Sequence, residues 1–114
     1  SVIDSGKSFN VIYAENDDMA KGAVAALDKA NISHGVGKDV IVMGFDCNKW
    51  ALEELLKQNW NYDGQCNPFQ ASYINDIIQK LEKGETISEK VIIMDEKGFD
   101  ASTITQEDVD KYGI

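Results

Sequence analysis

The stretch Phe9-Asn10-Val11-Ile12-Tyr13-Ala14-Glu15-Asn16-Asp17-Asp18-Met19-Ala20-Lys21-Gly22-Ala23-Val24-Ala25-Ala26-Leu27 decides how this 114-residue chain folds. Its first six residues, apolar except for Asn10 and rich in β-branched and aromatic types, make a run too short for a typical helix, so they predict a buried strand. The polar cluster Glu15-Asn16-Asp17-Asp18 offers side-chain oxygens to free helix N–H groups and negative charge to the positive end of a helix dipole. From Met19 onward, Met19, Ala20, Ala23, Val24, Ala26 and Leu27 recur at the spacing of one helical face. A strand therefore runs directly into a helix.

The pattern repeats downstream. Gly35 and Gly37 mark a loop, and Asp39 to Asp46 has the continuous apolar centre of a strand covered on both faces, as in a parallel sheet. A helix with Trp50, Ala51, Leu52, Leu55 and Leu56 on one side follows. Tyr62 to Cys66 predicts a third strand, stopped by Pro68. With Pro68 at a first helical position, Phe69 to Lys83 predicts a third helix, with Tyr73, Ile74, Ile77, Ile78 and Leu81 inward and Gly84 closing it. Val91-Ile92-Ile93-Met94 predicts a fourth strand, and Thr105 with Asp108 a short helical turn. The order β-α-β-α-β-α-β predicts an α/β fold with right-handed crossovers and a mainly parallel sheet. Ligands of such sheets gather at the carboxyl ends of strands, which directs attention to Glu15-Asn16-Asp17, Asp46-Cys47 and Cys66-Asn67.

Composition removes several function classes. A formal net charge of −9 repels a phosphate backbone, so no nucleic-acid partner is expected. No apolar run approaches the ~20 residues that cross a bilayer, so no membrane insertion by this chain is expected. The start, SVIDSGKSFN, has neither an initiating Met nor the pattern of a signal peptide, which suggests a C-terminal part of a longer protein. Cys47 and Cys66 permit one disulfide without demanding it. No Ser-His, Cys-His or phosphate-loop pattern appears, and neither carboxylate pairs nor Cys/His spacing mark a catalytic or metal site, so neither an enzyme nor a cofactor is expected. His34, in a polar loop, is expected to be solvated, and Glu53, Glu54, Asp108 and Asp110 to form wet faces.

Several collinear motifs carry a family resemblance. Val11 to Ala23 resembles the "N-D-[DE]-M-A-x-G-A" strand-to-helix signature of ribose- and galactose-type periplasmic binding proteins of ABC transporters. Gly37 to Asp46 is similar to the family's "G-K-D-V-x-V-x-G-F-D" strand, and Cys66-Asn67-Pro68 to its "Q-N-P"-like crossing between lobes. Leu81-Glu82-Lys83-Gly84-Glu85 resembles its "L-x-K-G-E" helix end, and Thr105 to Gly113 the tail of galactofuranose-type members. The resemblance runs from about Phe9 to the last residue.

This resemblance implies a partial C-terminal lobe of a two-lobed protein. Residues 1–67 would be a βαβαβ segment of that lobe, 68–89 a crossing helix that packs in the N-terminal lobe, and 90–114 a returning strand and tail. It implies a solute-binding component that holds a monosaccharide between its lobes for a membrane permease, in the periplasm or at the cell surface, with a lipid anchor upstream left open. Asn16 and Asp46 match the family's sugar-binding positions. Cys66 stands where ribose-type members commonly place a Gln, and a thiol is a poor partner for a hydroxyl; either Asn67 supplies that contact or the pocket prefers a different sugar. The runner-up is the effector-binding core of a LacI-type sugar-responsive regulator or a receptor sensor domain.

Overall fold

The computed structural model describes all 114 residues, which form two compact units. The first comprises Ser1–Cys66 and Lys97–Ile114, and the second Asn67–Glu96.

In the first unit, β1 (Val11–Tyr13), β2 (Ile41–Asp46) and β3 (Tyr62–Gln65) lie side by side and parallel, and β4 (Gly98–Asp100) closes the sheet antiparallel to β3. Ile12 stands opposite Val42, Gly44 opposite Asp63, and Asp63 opposite Phe99. The links β1-α1-β2 and β2-α2-β3, through α1 (Asp17–Lys29) and α2 (Lys49–Leu56), step across the sheet in one direction. Right-handed crossovers then put both helices on the same face. The sheet is consequently covered on one face only, and the expectation of a β2 covered on both is corrected. Val42 is buried, whereas Ile41 and Val11 stay exposed on the opposite side of the pleat.

The core is the expected stripe with two revisions. Ala20 and Leu27 of α1 and Ala51, Leu52 and Leu55 of α2 pack with Val40, Val42, Trp60 and Phe99. Met19 and Ala26 face outward. Trp60 is buried and meets Trp50 edge to face at 5.8 Å, so Trp50 is a packing residue of α2. The bare sheet face carries an aromatic row, with Tyr13 and Phe45 at 5.3 Å and Phe45 and Tyr62 at 6.5 Å.

The returning strand is not where the apolar run suggested. Val91, Ile92 and Ile93 are exposed and outside any strand, and β4 is Gly98–Asp100. An apolar run becomes a strand only where a neighbour accepts its ladder, and β3 accepts Gly98–Asp100 because Gly98 leaves room for the Tyr62 ring while Phe99 enters the core. The tail then forms α4 (Gln106–Tyr112), opened by a full capping box between Thr105 and Asp108, a longer helix than the single turn expected.

In the second unit, α3 spans Ala71–Glu82 and is preceded by Gln70, so Pro68 sits in the approach to the helix and not at its first position. Lys83 and Gly84, the latter at φ 74°, end it. None of its residues is buried: the stripe Tyr73, Ile74, Ile78 and Leu81 that the sequence assigns inward is exposed.

His34 departs from expectation. Its side chain is 12% exposed, with Nδ1 at 2.9 Å from the Asn59 carbonyl and Nε2 at 3.0 Å from Asp28. It ties the end of α1 to the loop before Trp60 instead of pointing into solvent.

Candidate functional site

The carboxyl edge of the sheet collects the residues singled out from sequence. Parallel pairing sets the ends of β1, β2 and β3 next to one another: Tyr13 stands opposite Met43 and Asp46 opposite Gln65. Asn16 follows β1, Asp46 ends β2 and Cys66 follows β3, so these three share one edge. Asn67 belongs to the second unit. There its Oδ1 accepts from Phe69 N at 2.9 Å, and its own N–H donates to Glu96 at 2.8 Å.

Asn16 is the N-cap of α1. Its backbone is extended (φ −156°, ψ 171°), and its Oδ1 accepts from Met19 N at 2.8 Å. The cap fixes the side chain and uses only the oxygen, leaving the amide Nδ2 of this half-exposed residue as a donor at the strand end. The structural and the ligand-facing roles are thus compatible in one residue.

Asp46 is held in an unusual backbone. Its φ is 122° and that of Cys47 is 62°, two consecutive non-glycine residues at positive φ. Such conformations cost of order 1–3 kcal/mol each and persist only where surrounding structure over-determines them. Here Asn48 N donates to Asp17 Oδ2 at 2.8 Å, Cys47 N donates to Asp63 Oδ1 at 3.4 Å, and Ile114 N donates to the Cys47 carbonyl at 3.1 Å. None of these bonds uses the Asp46 carboxylate, and the residue is half-exposed at the edge.

Cys66 is an exposed free thiol and Cys47 a buried one; the two are not bonded to each other. Burial and the nearby Asp63 and Asp17 push the Cys47 thiol far up, so it stays protonated and packs as a small apolar group.

Sequence reasoning missed the groups beneath the edge. Asp17 and Asp63 are fully buried carboxyls, and both are raised above the usual carboxylate range, first by burial; Asp63 is pushed up to about 8, with the charge of Asp17 adding to it. Asp17 reads in sequence as a helix-start acid. Asp63 offered only a faint signal, an acid between Tyr62 and Gly64 in a strand pattern. An apolar groove of about 370 Å³ beside α1, lined by Ile3, Phe9, Ile12, Ala23, Ala26 and Leu27, holds none of the edge residues. The edge itself suits hydrogen bonding to hydroxyls: a planar amide, a carboxylate and strand-end backbone.

No protein-family model matches the chain. The chain is 33% identical over 104 residues to the fructose import binding protein FruE of Bifidobacterium longum, covering 90% of this chain and 30% of that protein. It is 28% identical over 89 residues to the galactofuranose-binding protein YtfQ of Escherichia coli, covering 78% of this chain and 27% of that protein. The fold superimposes on the crystal structure of a galactofuranose binding protein with a TM-score of 0.80 at 26% identity, covering 96% of this chain and 36% of the other. The chain thus spans about a third of the length of the relatives it matches, and those relatives are binding proteins. In sequence and fold, the chain is similar to about a third of the length of periplasmic sugar-binding proteins of ABC transporters, of the ribose- and galactofuranose-binding type.

Proposed function

We propose that this chain supplies one wall of a monosaccharide site, in a protein that binds the sugar outside the cytoplasm and hands it to an ABC permease. Asp46 accepts hydrogen bonds from sugar hydroxyls, Asn16 donates through Nδ2, and the crossing at Cys66-Asn67 completes the polar contacts. The observation that carries the reading is the Asp46 turn: a strained strand end, held by three hydrogen bonds that leave its carboxylate free, in a chain similar to sugar-binding proteins. The segment 68–89 packs against the other lobe, a reading supported by the exposed apolar stripe of α3. Galactofuranose and fructose, which the matched relatives bind by name, head the candidate sugars.

Calorimetric titration of the intact protein with galactofuranose, fructose and ribose tests the reading, with Asp46→Ala alongside. The expected result is saturable binding of one monosaccharide, weakened tenfold or more by the substitution, since a hydrogen bond to a charged group contributes about 1.5–3 kcal/mol. Unchanged affinity in Asp46→Ala would remove Asp46 from the site.

A further inference from the structure

Beneath the Asp46 turn, two carboxyls meet in a dry interior. Asp17, the first residue of α1, and Asp63, within β3, are both 0% exposed. Asp17 Oδ2 accepts from Asn48 N at 2.8 Å and from Asn48 Nδ2 at 3.1 Å. Asp63 Oδ1 accepts from Cys47 N at 3.4 Å and faces Cys47 Sγ at 3.9 Å. The second oxygen of each, Asp17 Oδ1 and Asp63 Oδ2, receives no donor from the rest of the chain. The two carboxyls are, however, within hydrogen-bonding reach of one another. Gly44 opens the space for this meeting: a Cβ there would stand 2.5 Å from Asp17 Oδ1 and 2.9 Å from the Trp60 ring.

Two ionised carboxylates in contact, buried and without a cation, would repel each other and leave both oxygens unpartnered. Of the ionisable groups that face the pair, Asp46 at the end of β2 adds negative charge and Cys47 is a neutral thiol, so neither supplies a compensating cation. A single proton between the two free oxygens resolves both difficulties, because one oxygen then donates and the other accepts.

We propose that Asp17 and Asp63 share one proton and that this acid pair is a positioning device for Asp46, clamping Cys47 and Asn48 so that the strained strand end aims its carboxylate outward. The consequence for sugar rests on the reading of Asp46 given above; the shared proton and the clamp rest on the geometry alone. The direction of the Asp63 shift, up to about 8, agrees with a proton retained well above the usual carboxylate range. Losing that proton sets two charges against each other directly under the turn.

The test is a carboxyl carbon-13 NMR titration of the 114-residue chain from pH 3 to pH 10, following the Cys47 and Asn48 amide resonances in the same samples. One proton of the pair is expected to persist to near pH 8, and both amides to move in that step. Asp17→Asn keeps an oxygen for Asn48 and puts an N–H₂ donor where the proton lay. In that variant Asp63 should bind its proton roughly tenfold or more weakly, the amide step near pH 8 should vanish, and the Asn48 resonances should stay near their original positions, whereas Asp17→Ala should displace them. Release of both protons below pH 5 in the unmodified chain, or Asn48 and Cys47 amides that ignore the release, would overturn the proposal. Sugar affinity of the intact protein at pH 6 and pH 9 separates the two layers. A fall at pH 9 that Asp17→Asn abolishes supports positioning, and equal affinity at both values refutes it. Unchanged affinity in Asp46→Ala counts against the sugar reading and not against the acid pair.

Discussion

Replacing Asp46 by glycine separates what the strand-end turn costs the fold from what it offers a ligand. At φ 122° the Asp46 side chain crowds its own backbone, and non-glycine residues in such regions cost of order 1–3 kcal/mol. Glycine adopts the same backbone without a Cβ, although it forfeits about 0.5–1 kcal/mol through the greater freedom of the unfolded chain. The bonds that clamp the turn come from Asp17, Asp63 and Ile114, so little else is lost with the carboxylate. The expected net effect is a gain of about 1 kcal/mol, which for a domain of this size raises the melting temperature by roughly 4–8 °C. Asp46→Ala keeps the Cβ and the strain and should show no such gain. For sugar the two variants should behave alike, each losing tenfold or more in affinity, because both remove the same acceptor. Differential scanning calorimetry of the chain and titration calorimetry of the intact protein read the two effects. A glycine variant melting several degrees below the unmodified chain would refute the strain argument, and undiminished affinity in both variants would refute the ligand role.

Three further outcomes follow from the same geometry. Because burial holds the Asp63 proton to about pH 8 while the unfolded chain releases it near pH 4, the folded state binds more protons between those values, so stability should fall as pH rises through that window and level off above it; urea midpoints ordered pH 5 above pH 7 above pH 9 check this, and a rising series contradicts it. Cys66 should react rapidly with a thiol reagent and Cys47 only on unfolding, so a titration of native protein should count one fast sulfhydryl; two fast thiols or none would be inconsistent with the structure. The bare sheet face with Tyr13, Phe45 and Ile41 should make the chain self-associate as concentration rises in sedimentation experiments, and Tyr13→Lys should weaken that association; a monomer at 100 µM would argue against it.

What the sequence determined by itself is what local periodicity and capping chemistry encode. The apolar spacing from Met19 to Leu27 specifies a helix whichever fold surrounds it, Asn16 and Thr105 announce helix starts, and the alternation of strands and helices requires a parallel sheet whose carboxyl edge carries Asn16 and Asp46. Tertiary structure alone decided the rest, because those outcomes depend on partners distant in the chain. Val91-Ile92-Ile93-Met94 is the better strand by composition, yet Gly98–Asp100 takes the place because β3 has an edge that Phe99 and Gly98 fit. No glycine marks the positive φ at Asp46 and Cys47; the conformation exists because Asp17 from α1, Asp63 from β3 and the last residue, Ile114, converge on it. Asp17 and Asp63 look in sequence like two ordinary acids, and only the register that sets Asp63 opposite a glycine makes them neighbours in a dry interior, where contact between like charges demands a proton that neither residue would keep in water.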